Sequence, residues 1–181
     1  MPDSVSLSHT TVWLTGLPCS GKTTLSIKLK EALDSRGIRT VCLDADDVRN
    51  KLNEDLGFSP ADRKENLRRA AYVARLFNDN GNCVLASFVS PTEEYRRMIK
   101  KIIGHVILVY VKCSLMMCET RDVKGMYKKA RSGDLKDFTG VSSLFEEPVG
   151  ADIIVDTERM SVQECVGEIL NQLKIQTHVS A

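Results

Sequence analysis

The residues Gly16-Leu-Pro-Cys-Ser-Gly21-Lys22-Thr23-Thr24 form the most informative motif of the sequence. They follow the apolar run Val12-Trp13-Leu14 and precede Leu25-Ser-Ile-Lys-Leu29. The spacing G-x-x-x-x-G-K-[ST] lets the backbone curl until its N–H groups point inward, and the helix that follows adds the positive end of its dipole. Such a cup binds the phosphates of a nucleotide. Because the motif arrives between a strand and a helix, it favours a phosphate-binding loop over a glycine-rich turn without a ligand.

Every residue of this loop is a candidate for contact with a nucleotide, and two have distinct chemical roles. We expect Lys22 to reach the β and γ phosphates as a mobile cation and to act in catalysis, and Thr23 to bind Mg²⁺ through its hydroxyl. The candidate nucleotide-binding residues are Gly16, Leu17, Pro18, Cys19, Ser20, Gly21, Lys22, Thr23 and Thr24. Cys19 lies near a helix N-terminus, a setting that favours a reactive thiolate, so oxidative inhibition is one hypothesis and a small spacer residue is the alternative.

The composition restricts the class of protein. A chain of 181 residues with 43% hydrophobic content suffices for one domain, and we expect residues 1–181 to form it. The net charge is +1 with acids and bases mixed along the chain, which argues against binding to nucleic acid or to an anionic membrane. The six cysteines contain no CxxC pair, the N-terminal segment lacks an apolar signal core, and no run approaches a membrane span. We therefore expect reduced thiols and a cytoplasmic protein.

Short apolar runs alternate with segments of helical periodicity. The runs lack alternation of polar and apolar residues, which is typical of strands covered on both faces. The rhythm predicts an α/β fold of three layers, with a mainly parallel five-stranded sheet flanked by helices. The predicted strands are Thr11–Thr15, Thr40–Leu43, Cys83–Ser87, Val106–Val111 and Ile153–Val155.

Local signals mark where several helices begin and end. Gly37 predicts the end of the first helix, and Gly81 predicts the end of the helix that Ser59-Pro60, together with Asp62, opens. Ser90-Pro91 predicts the start of the next helix. A capping box of Ser161 and Glu164 predicts a final, structural helix.

Acidic residues follow the second predicted strand, in the stretch Leu43-Asp44-Ala45-Asp46-Asp47-Val48-Arg49. Open α/β sheets bind ligands at the carboxyl ends of their strands, so these carboxylates are expected to face the phosphate loop. In a phosphoryl transfer, Asp44 and Asp46 can hold Mg²⁺ or take the proton of an attacking hydroxyl. The alternative is that one of them, Asp47 in particular, caps a helix that begins near Val48.

A second polar block, Gly57-Phe-Ser-Pro-Ala-Asp-Arg-Lys-Glu-Asn-Leu-Arg-Arg69, runs from a turn into a helix. Arg63 and Asn66 fall on one helical face and can reach the same ligand while Leu67 packs inward. A guanidinium binds two oxygens of an anion at once, which suits sulfate or phosphate. The alternative is a solvated face in which the arginines pair with Asp62 and Glu65.

A basic stretch bounded by glycines extends from Asp122 to Gly140. It predicts a mobile lid over about residues 122–150 that covers the phosphates, adds positive charge and excludes water. The alternative for its basic part is a solvated amphipathic helix.

With these blocks in view, the chain resembles the adenylylsulfate kinase family over nearly its whole length. The family pattern is a P-loop, then L-D-G-D-x-x-R, then G-F-S-x-x-D-R-x-E-N-x-R-R, an S-P turn, K-G-x-Y-x-K-A-R and D-F-T-G, and the chain supplies each block in order. The resemblance implies a P-loop kinase that uses ATP and Mg²⁺. Its implied reaction, a step of sulfate activation, phosphorylates the 3′-hydroxyl of adenosine 5′-phosphosulfate. A homodimer is the family expectation.

The resemblance also implies roles for individual residues. Phe58 stacks on the substrate adenine, and Arg49, Arg63 and Asn66 hold the phosphosulfate, in a pocket to which Asp44 contributes and which Val89 and Ser90 line. Lys124 lies near the transferring phosphate, and Asp46 lies near the 3′-hydroxyl as a base or metal organiser. Family descriptions have assigned a phosphorylated intermediate to the serine at Ser90, but direct transfer needs no covalent step and a helix cap explains this serine equally well.

The chain departs from the family pattern at three places. Ala45 replaces the glycine of L-D-G-D, Thr92 replaces an aromatic residue after the S-P turn, and Phe145 replaces a tyrosine that packs on the substrate base. An aromatic ring at Phe145 retains stacking but can shift nucleobase selectivity. These departures leave open a related kinase for another nucleotide anhydride, such as a cytidine-linked one. A nucleotide-dependent switch without phosphoryl transfer is a third hypothesis.

Overall fold

Five parallel strands form one sheet in the computed structural model, which describes residues 7–174. The strands are β1 (Thr11–Thr15), β2 (Thr40–Asp44), β3 (Cys83–Ser87), β4 (Val106–Lys112) and β5 (Ile153–Asp156). Their order across the sheet is β2-β3-β1-β4-β5, and each neighbouring pair is parallel. The predicted sheet is confirmed, and each strand begins at the residue where the sequence predicts it.

Helices connect the strands and flank the sheet. They are α1 (Lys22–Asp34), α2 (Ala45–Lys51), α3 (Pro60–Asp79), α4 (Glu93–Ile103), α5 (Leu115–Arg121), α6 (Met126–Arg131) and α7 (Val162–Gln172). Ser59 caps α3 by accepting a hydrogen bond from the backbone N–H of Asp62 at 3.1 Å. The predicted capping box of Ser161 and Glu164 opens α7, with both of its hydrogen bonds present.

Two predicted helix starts are wrong. The second helix begins at Ala45 and not near Val48, and its cap is Asp44, whose carboxylate accepts from the N–H of Asp46 at 2.9 Å. Asp47 is no cap; it pairs with Lys51 at 2.9 Å on the helix surface. Since Ala45 is the first helical residue, its methyl group meets no conformational penalty there.

The helix predicted to open at Ser90-Pro91 begins instead at Glu93, where Thr92 is the cap. Proline disfavours the α conformation in the residue before it, and Ser90 has a φ of 44°. Thr92 accepts a hydrogen bond from the N–H of Tyr95 at 3.4 Å. The S-P turn is therefore a separate loop between β3 and α4.

Hydrophobic cores lie on both faces of the sheet, because successive strand residues point to opposite sides. Val12 and Leu14 pack in a core that includes the buried faces of α1 and α7. Trp13, between them, packs in the other core with residues of α3 and α4. Both faces of the central strands are thus covered, which explains why these strands do not alternate polar and apolar residues.

This topology places five connections at the carboxyl edge of the sheet, since all five strands are parallel. They are the phosphate loop after β1, helix α2 after β2, the loop of residues 89–91 after β3, the segment that leads from β4 into α5, and the turn after β5. Among residues 7–174, no helix is both long and apolar enough to cross a membrane.

Candidate functional site

A cavity of about 860 Å³ opens at the carboxyl edge of the sheet. Its walls come from the phosphate loop, α2, α3, the loop after β3 and the segment that follows α5. The predicted site residues that line it are Pro18, Cys19, Gly21, Lys22, Thr23, Thr24, Asp44, Asp46, Arg49, Phe58, Arg63, Asn66, Val89, Ser90 and Lys124. The cavity therefore brings together residues from five separate blocks of sequence.

The phosphate loop is tightly wound around its glycines. A Cβ atom on Gly16 would lie 2.5 Å from the carbonyl oxygen of Val111 and 2.8 Å from Oγ of Ser20, so no larger residue fits there. Gly21 has a φ of 99°, a conformation that glycine adopts at little cost. Three residues of the loop do not line the cavity and instead stabilise the shape of the loop: Gly16, Leu17 and Ser20.

Lys22 folds back over the loop that it follows. Its Nζ donates to the carbonyl oxygens of Gly16 at 3.0 Å and Leu17 at 2.7 Å. Burial lowers the pKa of Lys22 from 10.5 to about 8, since no carboxylate directly pairs with the ammonium group. An arriving polyphosphate would supply that missing negative charge.

Thr23 and Asp44 form a contact between the phosphate loop and the end of β2. The Thr23 hydroxyl donates to Oδ2 of Asp44 at 2.7 Å, while Oδ1 of the same carboxylate caps α2. Nearby, Lys124 forms an ion pair with Asp46. The expectation that these carboxylates face the phosphate loop is met for Asp44 by this bond and for Asp46 by its place in the cavity wall.

This set of oxygens fits Mg²⁺. A hydroxyl and carboxylates are hard ligands, and Mg²⁺ beside nucleotides is bound by one or two protein groups together with phosphates and water. The residues described here contain no cluster of three or more His, Cys, Asp or Glu side chains able to hold a metal. Thr23, Asp44 and Asp46 would thus share the ion with the nucleotide.

Two arginines and an aromatic ring form the opposite half of the cavity. The guanidinium of Arg49 lies 4.4 Å from the ring centre of Phe58, which is 51% exposed. Burial and the neighbouring charge of Arg63 lower the pKa of Arg49, and burial lowers that of Arg63. Two half-buried cations that repel one another make this half of the cavity favourable for an anion.

The loop after β3 is held by three side chains from other elements. Thr15 donates to the carbonyl oxygen of Val89 at 2.6 Å, and the indole N–H of Trp13 donates to Oγ of Ser90 at 2.9 Å. Arg96, which is only 1% exposed, donates to the carbonyl oxygen of Ser90 at 2.9 Å. Ser90 is therefore not a helix cap; its hydroxyl helps to fix a strained turn at the cavity wall.

The lid segment, residues 122–150, directly contacts the half of the cavity that Arg49, Arg63 and Phe58 form. Arg63 donates to the hydroxyl of Thr139 at 2.8 Å and also to the carbonyl oxygen of Asp137. Tyr127 anchors the segment by donating to the carbonyl oxygen of Pro18 at 3.0 Å. The predicted basic helix is present as α6, with Tyr127 and Ala130 buried, so the segment is packed on the phosphate loop and not only solvated.

Phe145 is the one predicted substrate contact that the structure places outside the cavity wall. Its ring centre lies 6.2 Å from that of Tyr110. The backbone after it packs on the loop that follows β3, where the N–H of Glu146 donates to the carbonyl oxygen of Pro91 at 2.8 Å.

Arg121 and Thr157, which belong to none of the motifs identified in the sequence, line the end of the cavity beside the phosphate loop. Arg121 donates to the hydroxyl of Thr157 at 3.1 Å, and that hydroxyl donates to the carbonyl oxygen of Ser20 at 2.9 Å. A signal for Thr157 was available, because it follows β5 at the carboxyl edge where ligands bind. No comparable local signal marks Arg121.

The fold and this site define a P-loop kinase, in which one cavity joins a phosphate-binding loop to an arginine-lined half. The chain belongs to the adenylylsulphate kinase family, since the family model of that description matches residues 8–156. An enzyme of this family is a kinase that uses ATP, and the oxygen ligands above fit the accompanying Mg²⁺.

Individual relatives agree with this family. The adenylyl-sulfate kinase of Staphylococcus carnosus is 47% identical over 167 residues, which cover 91% of this chain and 84% of the relative. The structure of the Mycobacterium tuberculosis APS kinase CysC in complex with AMPPNP and APS is similar with a TM-score of 0.88 and 40% identity, covering 91% of this chain and 97% of that one. A hexameric APS kinase from Thiobacillus denitrificans has a TM-score of 0.70 and 26% identity, covering 91% of this chain and 28% of that one.

Proposed function

We propose that this kinase transfers the γ-phosphoryl group of ATP to the 3′-hydroxyl of adenosine 5′-phosphosulfate (APS), giving 3′-phosphoadenosine 5′-phosphosulfate and ADP in sulfate activation. The observation that carries the proposal is that Arg63 and Asn66 line the same cavity as Lys22 and Thr23. One cavity can then hold both the donor polyphosphate and an anionic acceptor, and phosphoryl transfer depends mostly on positioning and charge neutralisation.

The donor half of the cavity binds ATP through the phosphate loop. Lys22 leaves the carbonyl oxygens of Gly16 and Leu17 and pairs with the β and γ phosphates. Thr23, together with Asp44 and Asp46 acting through water, would hold Mg²⁺, and the bound ion would neutralise charge on these phosphates. Arg121 and Thr157, at the same end of the cavity, are suited to contact the donor nucleoside.

The acceptor half binds APS. Arg49 and Arg63 pair with the phosphosulfate oxygens, Asn66 donates its amide N–H to them, and the ring of Phe58 stacks on the adenine. The loop at Val89–Ser90 forms the remaining wall.

In the transfer step, the O–H bond of the 3′-hydroxyl breaks as its oxygen bonds to the γ-phosphorus, and the bond from that phosphorus to the bridging oxygen of ADP breaks. Asp46 accepts the proton, and Lys124, its ion-pair partner, stabilises charge on the transferring group. No covalent intermediate on Ser90 is needed, because the 3′-hydroxyl attacks the γ-phosphorus directly. The Ser90 hydroxyl has a structural contact instead, since it accepts a hydrogen bond from Trp13.

An ADP-release assay with several acceptors tests the proposal. We expect rapid turnover with Mg·ATP and APS, slow turnover with other nucleotide anhydrides such as cytidine-linked ones, and a loss of about 10²-fold or more in the Asp46→Ala variant. Turnover only with a different anhydride would assign the chain to a related kinase. ATP binding without turnover on any acceptor would indicate a nucleotide-dependent switch.

The wider organisation of the protein is part of the proposal. We assign residues 1–181 to one kinase domain, in which the lid segment opens and closes.

A homodimer is supported by the exposed side chains of Tyr72, Leu76 and Phe77 on α3 and by the prevalence of two-fold symmetry. All six cysteines are free thiols, which supports a cytoplasmic location. Light scattering at several concentrations distinguishes a dimer from a monomer or a hexamer.

A further inference from the structure

Asn53, in the connection between α2 and α3, is a fully buried amide that does not belong to the cavity wall. Its Nδ2 donates to Oδ1 of Asn66 at 2.9 Å. Asn66 is itself 4% exposed and does line the cavity. Asn53, which does not reach the cavity, thus contacts the side chain of Asn66, which does.

The direction of this hydrogen bond is set by Arg69. Oδ1 of Asn53 accepts from Nη1 of Arg69 at 3.4 Å. The guanidinium is held by two hydrogen bonds of 2.8 Å to Asp55 and one of 2.9 Å to Glu65. Because arginine only donates, the oxygen of the Asn53 amide must face it, and the amide nitrogen must then face Asn66.

The orientation of the Asn53 amide in turn determines the orientation of the Asn66 amide. Its Oδ1 is occupied by Asn53, and its Nδ2 has no hydrogen-bond partner within residues 7–174. An amide with its oxygen turned toward Asn53 turns its N–H₂ group the other way. The cavity therefore meets a donor, which attracts an anion, and not a carbonyl oxygen, which would repel one.

We propose that Asn53, oriented by Arg69, is a positioning residue that makes Asn66 present its N–H₂ group to the anionic acceptor. This inference rests on the proposed function, because it takes the phosphosulfate of APS as the anion that Asn66 binds. The alternative is that Asn53 merely joins the end of α2 to α3 and has no effect on the polarity of the site.

The Asn53→Asp variant separates these two roles. A carboxylate has nearly the shape of the amide and still pairs with Arg69, but it cannot donate to Asn66. The Asn66 amide must then turn its N–H₂ group toward the new carboxylate and its oxygen toward the substrate. We expect the KM for APS to rise about 10- to 100-fold, the effect of losing a hydrogen bond to a charged group, while the KM for ATP stays within about twofold of wild type.

Asn78→Asp is the matched control. Asn78 is a buried asparagine on α3 that pairs with the hydroxyl of Thr11 at 2.7 Å, and it does not line the cavity. The Asn78→Asp variant introduces the same charge at similar burial. Its melting temperature should therefore fall, while its KM values for APS and ATP stay near those of wild type. A second variant, Arg69→Met, leaves Asn53 in place but removes the donor that orients it, and the KM for APS should rise here too.

The outcomes are distinct. An unchanged KM for APS in folded Asn53→Asp, or equal increases in the KM values for APS and ATP, would overturn the inference. If Asn53→Asp fails to fold, Arg69→Met decides, and an unchanged KM for APS in that variant would overturn it. Failure of the proposed function is separate, because wild-type enzyme would then show no turnover of APS.

Discussion

At the scale of single residues, several side chains serve both the fold and the site. Asp44 caps α2 with one carboxylate oxygen and accepts from Thr23 with the other. Lys22 stabilises the phosphate loop through carbonyl contacts that it exchanges for phosphates on binding. Stability and activity can nevertheless be separated at both positions.

The Asp44→Asn variant should retain the helix cap and lose the charge that supports Mg²⁺. Asparagine caps helices as well as aspartate does, so the melting temperature should change little while kcat falls by about tenfold or more. Asp44→Ala should lose the cap as well, at an additional cost of about 1 kcal/mol in the free energy of unfolding. Thermal melts and steady-state kinetics measure the two effects, and equal destabilisation by Asn and Ala would contradict the assignment of the cap.

Lys22 should give ATP binding a marked dependence on pH. Its pKa of about 8 in the folded protein means that the ammonium form, which binds phosphates, is lost as the pH rises above that value. The KM for ATP should then rise by up to about tenfold per pH unit. The free energy of unfolding has the opposite dependence on pH. Between about pH 8 and pH 10.5, Lys22 is protonated in the unfolded chain, where its pKa is 10.5, but has lost its proton in the folded protein. Unfolding therefore becomes less favourable as the pH rises through this range.

Measuring the KM for ATP from about pH 7 to about pH 9.5 tests this prediction, since the range spans the shifted pKa but stays below that of an ordinary lysine. Lys22→Arg keeps its charge throughout the range and should show no such rise, whatever its absolute activity. A KM for ATP that does not change with pH in the wild type would contradict the prediction that burial lowers the pKa of Lys22.

Among the elements, two connections between strands, the loop after β3 and the lid segment with its short helix α6, decide the shape of the site. The loop after β3 is fixed from β1 and α4, and the lid segment is fixed by Arg63 of α3 and by the phosphate loop. Each is held by a few identified hydrogen bonds.

Arg96→Met should destabilise the protein and impair binding of the acceptor. The change keeps most of the side-chain volume but leaves the buried carbonyl of Ser90 without its donor, at a cost of about 1–3 kcal/mol in the free energy of unfolding. Since Ser90 then relaxes from its positive φ, the KM for APS should rise more than the KM for ATP. Arg75→Met, on the exposed face of α3, is the control; similar effects in both variants would argue against an anchoring role.

Lys124→Met should separate catalysis from stability at the lid. The ion pair of Lys124 with Asp46 is exposed, and such pairs contribute about 0–1 kcal/mol to stability, so the melting temperature should hardly change. The loss of a positive charge at the transferring group should still lower kcat by about 10²-fold. Lys129→Met removes a lysine of α6 that is not part of the cavity wall and should keep wild-type kcat. A fully active Lys124→Met enzyme would remove Lys124 from the proposed mechanism.

At the scale of the whole molecule, the sequence predicts what local signals encode and misses what distant contacts decide. The strands and the phosphate loop were predictable because buried apolar runs and glycine spacing are local. The turn at Ser90 was not, because it is set by Trp13, which lies 77 residues away in the chain. Likewise, the motif marks Asn66 as a candidate ligand, but only the packing of Asn53 and Arg69 gives the direction of its amide.

In the proposed reaction, the γ-phosphoryl group of ATP is transferred to the 3′-hydroxyl of an APS molecule held in the arginine-lined half of the cavity. The most direct measurement supplies γ-labelled ATP with APS or with its 3′-deoxy analogue and locates the label in the product by mass spectrometry and phosphorus NMR. We expect label on the 3′-oxygen of APS and none on the analogue, which should instead inhibit in competition with APS. Label elsewhere on APS, or transfer to the 3′-deoxy analogue, would contradict the proposed reaction.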